Sequence, residues 1–192
     1  MIRMATPADA AGILAIYAPV VRDSAISFEL APPTVAEMRR RIRKILADRP
    51  WLVYESDGVV LGYVYASTFR DRPAYRWSTE VSVYIHEDAR GRGLGRTLYR
   101  ALFEVLHLQG YCTLVAGATM PNGGSERLHT GLGFQLMGVL PAAGYKFGSW
   151  HDVAFYHRTL RPLPKRPREP VPIANISVRK LNDAIKKQTI RL

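Results

Sequence analysis

Cysteine is nearly missing. Cys112 is the single one in 192 residues, so no disulfide can close within the chain. Its place in Tyr111-Cys112-Thr113-Leu114-Val115 reads as a packed thiol rather than a nucleophile. No apolar stretch reaches transmembrane length, and Met1-Ile2-Arg3-Met4-Ala5 leads into a strand and a capped helix instead of a signal peptide. A soluble, cytoplasmic protein with no membrane partner is expected. There is no internal repeat. Acidic residues are few, 16 against 27 Lys and Arg, for a formal net charge of +11. Residues 161–192 hold nine of the bases (Arg161, Lys165, Arg166, Arg168, Arg179, Lys180, Lys186, Lys187, Arg191) against Glu169 and Asp183, so +7 belongs to the tail and +4 to the rest. That balance makes no strong case for nucleic acid.

What is present centres on Arg90-Gly91-Arg92-Gly93-Leu94-Gly95, between an expected strand at 78–85 and an expected helix at 93–109. Glycine amides approach an anion closely, a helix start adds unpaired N–H groups and a positive dipole end, and Arg90, Arg92 and Arg96 add charge-assisted donors. A P-loop is excluded because no Lys follows a glycine; a dinucleotide fingerprint is excluded because Arg96 stands where its third glycine belongs. The remaining pattern, Arg-x-x-Gly-x-Gly after a strand and before an amphipathic helix, resembles the pyrophosphate loop of the GNAT acyl-CoA N-acyltransferases.

Along the chain, Thr6-Pro7-Ala8-Asp9 predicts a capped helix whose buried face carries Ile13, Leu14, Ile16, Tyr17, Val20 and Val21. Thr34-Val35-Ala36-Glu37 is a capping box for a second helix to about Leu46, on which Arg39, Arg40, Arg41, Arg43 and Lys44 read as a solvated face. Two β-rich runs, 51–55 and 59–67, flank Ser56-Asp57-Gly58 and predict a hairpin. Period-two alternation then puts Glu80, Ser82 and Tyr84 on one face and Val81, Val83 and Ile85 on the other. A strand at 114–119, a short helix at 126–132, a strand from Gly133 to Leu140, a loop over 141–150 and a strand at 151–160 complete a mixed-sheet α/β or α+β domain. From Pro162 five prolines change the character of the chain, and 162–192 is expected as a basic extension of a domain at 1–161, either disordered or docked on a neighbour.

The resemblance is closer than superfamily level. Phe28-Glu29, Ala74-Tyr75-Arg76-Trp77, Glu80, Val83-Tyr84-Ile85, the glycine loop, Pro121-Asn122, Arg127-Leu128-His129, Leu132-Gly133-Phe134, Ala143-Gly144-Tyr145-Lys146 and Trp150-His151-Asp152-Val153 are similar to the phosphinothricin N-acetyltransferase group, over residues 1 to about 163. The resemblance implies a GNAT fold, with a mostly antiparallel mixed sheet flanked by helices. It further implies acetyl-CoA as donor, no metal, a small amino-acid-like acceptor (phosphinothricin, methionine sulfoximine or methionine sulfone), direct transfer to its α-amine and a homodimer. A base must first take a proton from the α-ammonium, and an acid must then neutralise the thiolate.

Within that frame Glu80 matches the base, and His129 stands where many GNAT enzymes carry an acidic tyrosine; it could act as acid, base or relay. Val83, Tyr84 and Ile85 would hold the thioester and pantetheine arm, with Asn122 and Ser125 opposite and Arg90, Gly91, Arg92, Gly93, Leu94, Gly95 and Arg96 on the pyrophosphate. Arg76 would pair the acceptor carboxylate, with Phe28, Glu29, Tyr75, Trp77, Lys146 and Trp150 as further acceptor contacts. Plainer readings stay open: Glu80 paired with Arg76, and His129 as a packing residue. The alternatives are acetylation of a polyamine or a protein N-terminus, or a basic protein bound to nucleic acid or the ribosome through its tail.

Overall fold

A computed structural model describes residues 1–189. Seven strands form one sheet in the order β1-β2-β3-β4-β5-β7-β6, antiparallel throughout except where β4 meets β5. The strands are β1 (Ile2–Met4), β2 (Trp51–Ser56), β3 (Val59–Thr68), β4 (Ser78–Ile85), β5 (Thr113–Thr119), β6 (Gln135–Lys146) and β7 (Ser149–Thr159). The helices are α1 (Ala10–Asp23), α2 (Val35–Leu46), α3 (Leu94–Gln109), α4 (Gly123–Gly131) and α5 (Val178–Thr189).

The alternation along β4 sorts two cores. Val81, Val83 and Ile85 join Leu98, Leu102 and Leu106 of α3 on one face of the sheet. Tyr84 joins Ile13, Tyr17, Ile42, Trp51 and Tyr63 beneath α1 and α2 on the other. Burying an aromatic or aliphatic side chain of this size contributes about 1.5–3 kcal/mol, so a one-residue slip of β4 would lose both cores at once. The Thr34 hydroxyl accepts from the Glu37 amide at 3.1 Å, as the capping box requires. The Thr6 cap instead starts a single 3-10 turn at Pro7–Asp9, and α1 follows it.

Two expectations are corrected. The expected loop over 141–150 is a hairpin: β6 continues to Lys146 and β7 starts at Ser149. Phe147 and Gly148 both take positive φ, 51° and 76°, which matches the twist of a two-residue hairpin turn. The small run Pro141-Ala142-Ala143-Gly144 hides the strand because its register shifts between Leu140 and Gly144, breaking the alternation. Through residues 173–185 the tail docks on its own chain; its last three residues, 190–192, lie outside the described residues. Ile173, Leu181, Ala184 and Ile185 are buried in the α3 core of the same chain, since the apolar stripe of α5 finds its cover there. Cys112 is packed at 4% exposure, as read from its apolar strand.

Candidate active site

Strands β4 and β5 pair only at Ser78, Thr79 and Glu80, opposite Thr113, Leu114 and Val115. Beyond Glu80 they diverge, and a cleft of 460 Å³ opens between Val81, Val83 and Ile85 on one wall and Gly117, Ala118 and Asn122 on the other. The β4 backbone on this side has no β5 partner, so its N–H and C=O groups are left for a ligand. At the outer end, Gly93 caps α3 with φ 80° and no side-chain acceptor on the first-turn amides. A Cβ on Gly91 or Gly93 would meet nothing within 4 Å. This open, donor-lined cradle at a helix start fits a phosphate.

Of the residues expected around the cofactor, Val83, Tyr84, Ile85, Arg90, Gly91, Gly93, Leu94, Gly95, Arg96, Asn122 and Ser125 line this cleft; Arg92 stands outside it. The Leu94 side chain belongs to the core at 6% exposure, which leaves its amide for the cradle. Arg90 donates Nε to the Ile85 carbonyl, fixing the loop to the strand. Asn122 is the N-cap of α4, its Oδ1 accepting from the Ser125 amide at 3.0 Å.

His129 lines the same cleft and is 3% exposed. Its Nδ1 lies 2.8 Å from the Ser125 carbonyl oxygen, which can only accept, so Nδ1 carries the proton. Nε2 then accepts from the Tyr99 hydroxyl at 3.1 Å. Burial pushes the His129 pKa down, with the Ser125 carbonyl opposing, and the ring stacks on Tyr156 at 5.3 Å. Burial also raises the Tyr99 hydroxyl far above its ordinary range. Tyr99 escaped the sequence reading because its spacing on α3 is that of a core stripe.

Glu80 sits on the opposite face, beside Ser67 in the β3–β4 register. No hydrogen bond or ion pair reaches its carboxylate among the described residues, and burial alone raises its pKa. That face forms a second cavity of 530 Å³ lined by Tyr17, Glu29, Arg41, Lys44, Asp48, Arg49, Trp51, Tyr63, Tyr65, Ser67 and Thr68, among others. Trp51 stacks on Tyr65 at 4.4 Å to make an aromatic floor. The two cavities share a wall: Tyr84 of the cleft stacks on Tyr63 and meets Tyr17 edge-on, each at 5.2 Å.

Among the expected acceptor contacts, only Glu29 lines the second cavity. Burial pushes Glu29 upward, but Arg41 and the Tyr17 hydroxyl outweigh it and hold the carboxyl below its usual range. Arg41, read as part of a solvated face, grips Glu29 through two nitrogens at 2.6 and 3.1 Å. The structure does not bring Arg76 to either cavity: it pairs with Glu169 of the tail, not with Glu80, and lies over the Trp77 ring. Lys146 is buried with Nζ donating to the carbonyls of Val21, Ser24 and Ser27 at 2.7–2.9 Å, and burial draws its pKa down. Phe28 covers Gly144, where a Cβ would stand 2.5 Å from its ring. Tyr75 packs edge-on against Phe69, and Trp150 is 66% exposed beside Tyr145 at the hairpin end.

Residues 2–155 match the acetyltransferase (GNAT) domain family. The chain belongs to the GNAT family. It is an acetyl-CoA-dependent N-acetyltransferase with the GNAT fold. It is 41% identical to a phosphinothricin N-acetyltransferase of Streptomyces viridochromogenes, over 88% of this chain and 93% of that one. It is 36% identical to an L-methionine sulfoximine/L-methionine sulfone acetyltransferase of Pseudomonas aeruginosa, over 86% and 98%. Among solved structures, a GNAT superfamily phosphinothricin acetyltransferase of Sinorhizobium meliloti in complex with acetyl-CoA superposes with a TM-score of 0.84 at 37% identity, covering 89% of this chain and 94% of that one.

Proposed function

We propose that this acetyltransferase acts on the α-amine of a small amino-acid analogue of the phosphinothricin, methionine sulfoximine or methionine sulfone type, as a cytoplasmic homodimer. The observation that carries the reading is the pair of cavities meeting at Tyr84, one a phosphate cradle with unpaired strand backbone, the other an aromatic-floored chamber on the Glu80 face. Curated relatives named for these acceptors support it.

The cradle at Gly91, Gly93 and Arg96 would hold the pyrophosphate and β4 the pantetheine arm of acetyl-CoA, which supplies a thioester carbonyl and a thiolate leaving group. Glu80 takes the proton from the acceptor ammonium. Its lack of a partner and its raised pKa suit that task, because a carboxylate poised nearer neutrality is a better base. Tyr99, backed by His129, holds the proton on the other side of the sheet plane, where the leaving group needs it. Glu29, fixed by Arg41, lies at the margin of the acceptor chamber and orients its polar end.

The dimer reading rests on β6. It is the last strand of the sheet, pairs only with β7, and exposes Leu136, Met137, Val139 and Leu140 by about half. A long apolar edge of this kind is a template for pairing with a second copy.

Free-thiol release from acetyl-CoA, with those three acceptors, common amino acids, polyamines and a peptide as the panel, tests the assignment. Saturable turnover confined to the first three supports it. Turnover confined to polyamines or the peptide overturns the acceptor class.

A further inference from the structure

The C-terminal extension, which lies beyond the family-matched region, ties three separate segments within six residues. Trp77 Nε1 donates to the Arg168 carbonyl at 2.8 Å, and Arg76 pairs with Glu169. The Val171 amide donates to the Gln109 carbonyl at 2.8 Å, and the Ile173 amide donates to the Asp48 carbonyl at 3.1 Å. Gln109, the last residue of α3 and 1% exposed, closes the figure: its Nε2 donates to the carbonyls of Asp48 and Val171, each at 2.8 Å. Both neighbours are acceptors, so the amide nitrogen must face them. Ile173 is itself seated in the α3 core at 3% exposure, which anchors the crossing.

The segments so tied bear on the site. Asp48, Arg49 and Trp51 line the chamber on the Glu80 face, and residues 48–50 belong to the link between α2 and β2, outside any strand ladder. Trp77 immediately precedes β4 and stands three residues before Glu80. None of these polar ties lands on the 90–96 loop that forms the cradle.

We propose that residues 168–173 are a strap that sets acceptor specificity: through Gln109 they fix the 48–51 wall of the chamber, and through Arg76 and Trp77 they fix the start of β4. This rests on the chamber being the acceptor's. Gln109 is a positioning residue, remote from the reacting atoms, and the strap acts on acceptor binding while leaving acetyl-CoA binding alone. Each lost buried hydrogen bond weakens the wall by a factor of about two to ten.

The test uses the full chain carrying Gln109→Leu, and separately Trp77→Phe with Glu169→Gln, a change at the surface that spares the core. Steady-state KM is measured for phosphinothricin and for acetyl-CoA, alongside amide hydrogen exchange of residues 47–52 and 77–80. Gln109→Leu is expected to raise the phosphinothricin KM about five- to tenfold with the acetyl-CoA KM within about twofold, and to speed exchange at 48–52. The double variant raises the same KM about two- to threefold and speeds exchange at 77–80. An unchanged phosphinothricin KM in a folded variant, or both KM values rising together, overturns the proposal. If the unaltered enzyme turns over none of the panel, the acceptor reading fails on its own, and exchange decides the strap: unchanged protection at 48–52 and 77–80 overturns it.

Discussion

The Tyr99 hydroxyl stands 3.1 Å from Nε2 of His129, whose other nitrogen is spent on the Ser125 carbonyl. Two helices that meet only through the fold therefore share one proton-bearing pair, and both side chains are buried at the cleft, at 1% and 3% exposure. Tyr99→Phe removes the hydroxyl without disturbing the ring packing against Phe103 and is expected to lower kcat about 10²-fold while acetyl-CoA affinity holds. Single-turnover kinetics with a titration of acetyl-CoA checks it; full turnover in the variant would leave the pair a packing feature.

His129 also carries a stability signature. Its folded pKa lies below the usual 6.5, so the unfolded chain binds the proton more readily. Its contribution is complete above pH 6.5 and is lost as the pH falls through the lowered folded value. Denaturation curves of wild type and His129→Phe across pH 7.5 to about 4.5 should converge on the acid side. A constant gap would contradict the neutral, buried ring.

Glu80 makes the opposite prediction. Its folded pKa is raised above 4.5, so its contribution is present below pH 4.5 and is lost as the pH rises through the folded value. Glu80→Gln should therefore gain thermal stability over wild type as the pH increases, while kcat falls about 10²–10⁴-fold and acetyl-CoA affinity is kept. Equal turnover in the two proteins would remove Glu80 from the base role.

Gly93→Val places a β-branched residue at φ 80° and projects it into the cradle. The conformational strain is about 1–3 kcal/mol, and acetyl-CoA affinity should drop at least about tenfold by calorimetry. Arg92→Ala, outside the cleft, serves as the contrast and should weaken binding far less.

Lys146→Met strips a donor from the carbonyls of Val21 in the last turn of α1 and of Ser24 and Ser27 just beyond it. Loss of about 3 kcal/mol and a fall in Tm of roughly 5–10 °C are expected. A variant of unaltered Tm with a raised acceptor KM would return Lys146 to the acceptor.

Leu136→Lys with Val139→Lys blunts the exposed edge of β6 and should convert a dimer to a monomer in sedimentation velocity. A wild-type protein already monomeric at about 50 μM would retire the homodimer, since that is well above a micromolar dissociation constant.

Much of the cofactor side is legible in the residues themselves. Glycines at 91 and 93, the capping box at Thr34 and the alternation of 80–85 act within a few residues, through backbone sterics and periodicity, so their consequences follow wherever the chain folds. The acceptor side depends on pairings that no local pattern carries. Arg76 meets Glu169 across 93 positions and Lys146 meets Ser27 across 119, and a charged side chain finds its partner only after the sheet order is set. Trp51, Tyr63 and Tyr65 read only as parts of β-rich hairpin runs, because burial in a core and burial beneath a chamber leave the same trace in a strand. The docking of residues 173–185 was decided likewise, by whether an apolar stripe on α5 would meet an uncovered face of α3, which is a property of the assembled fold.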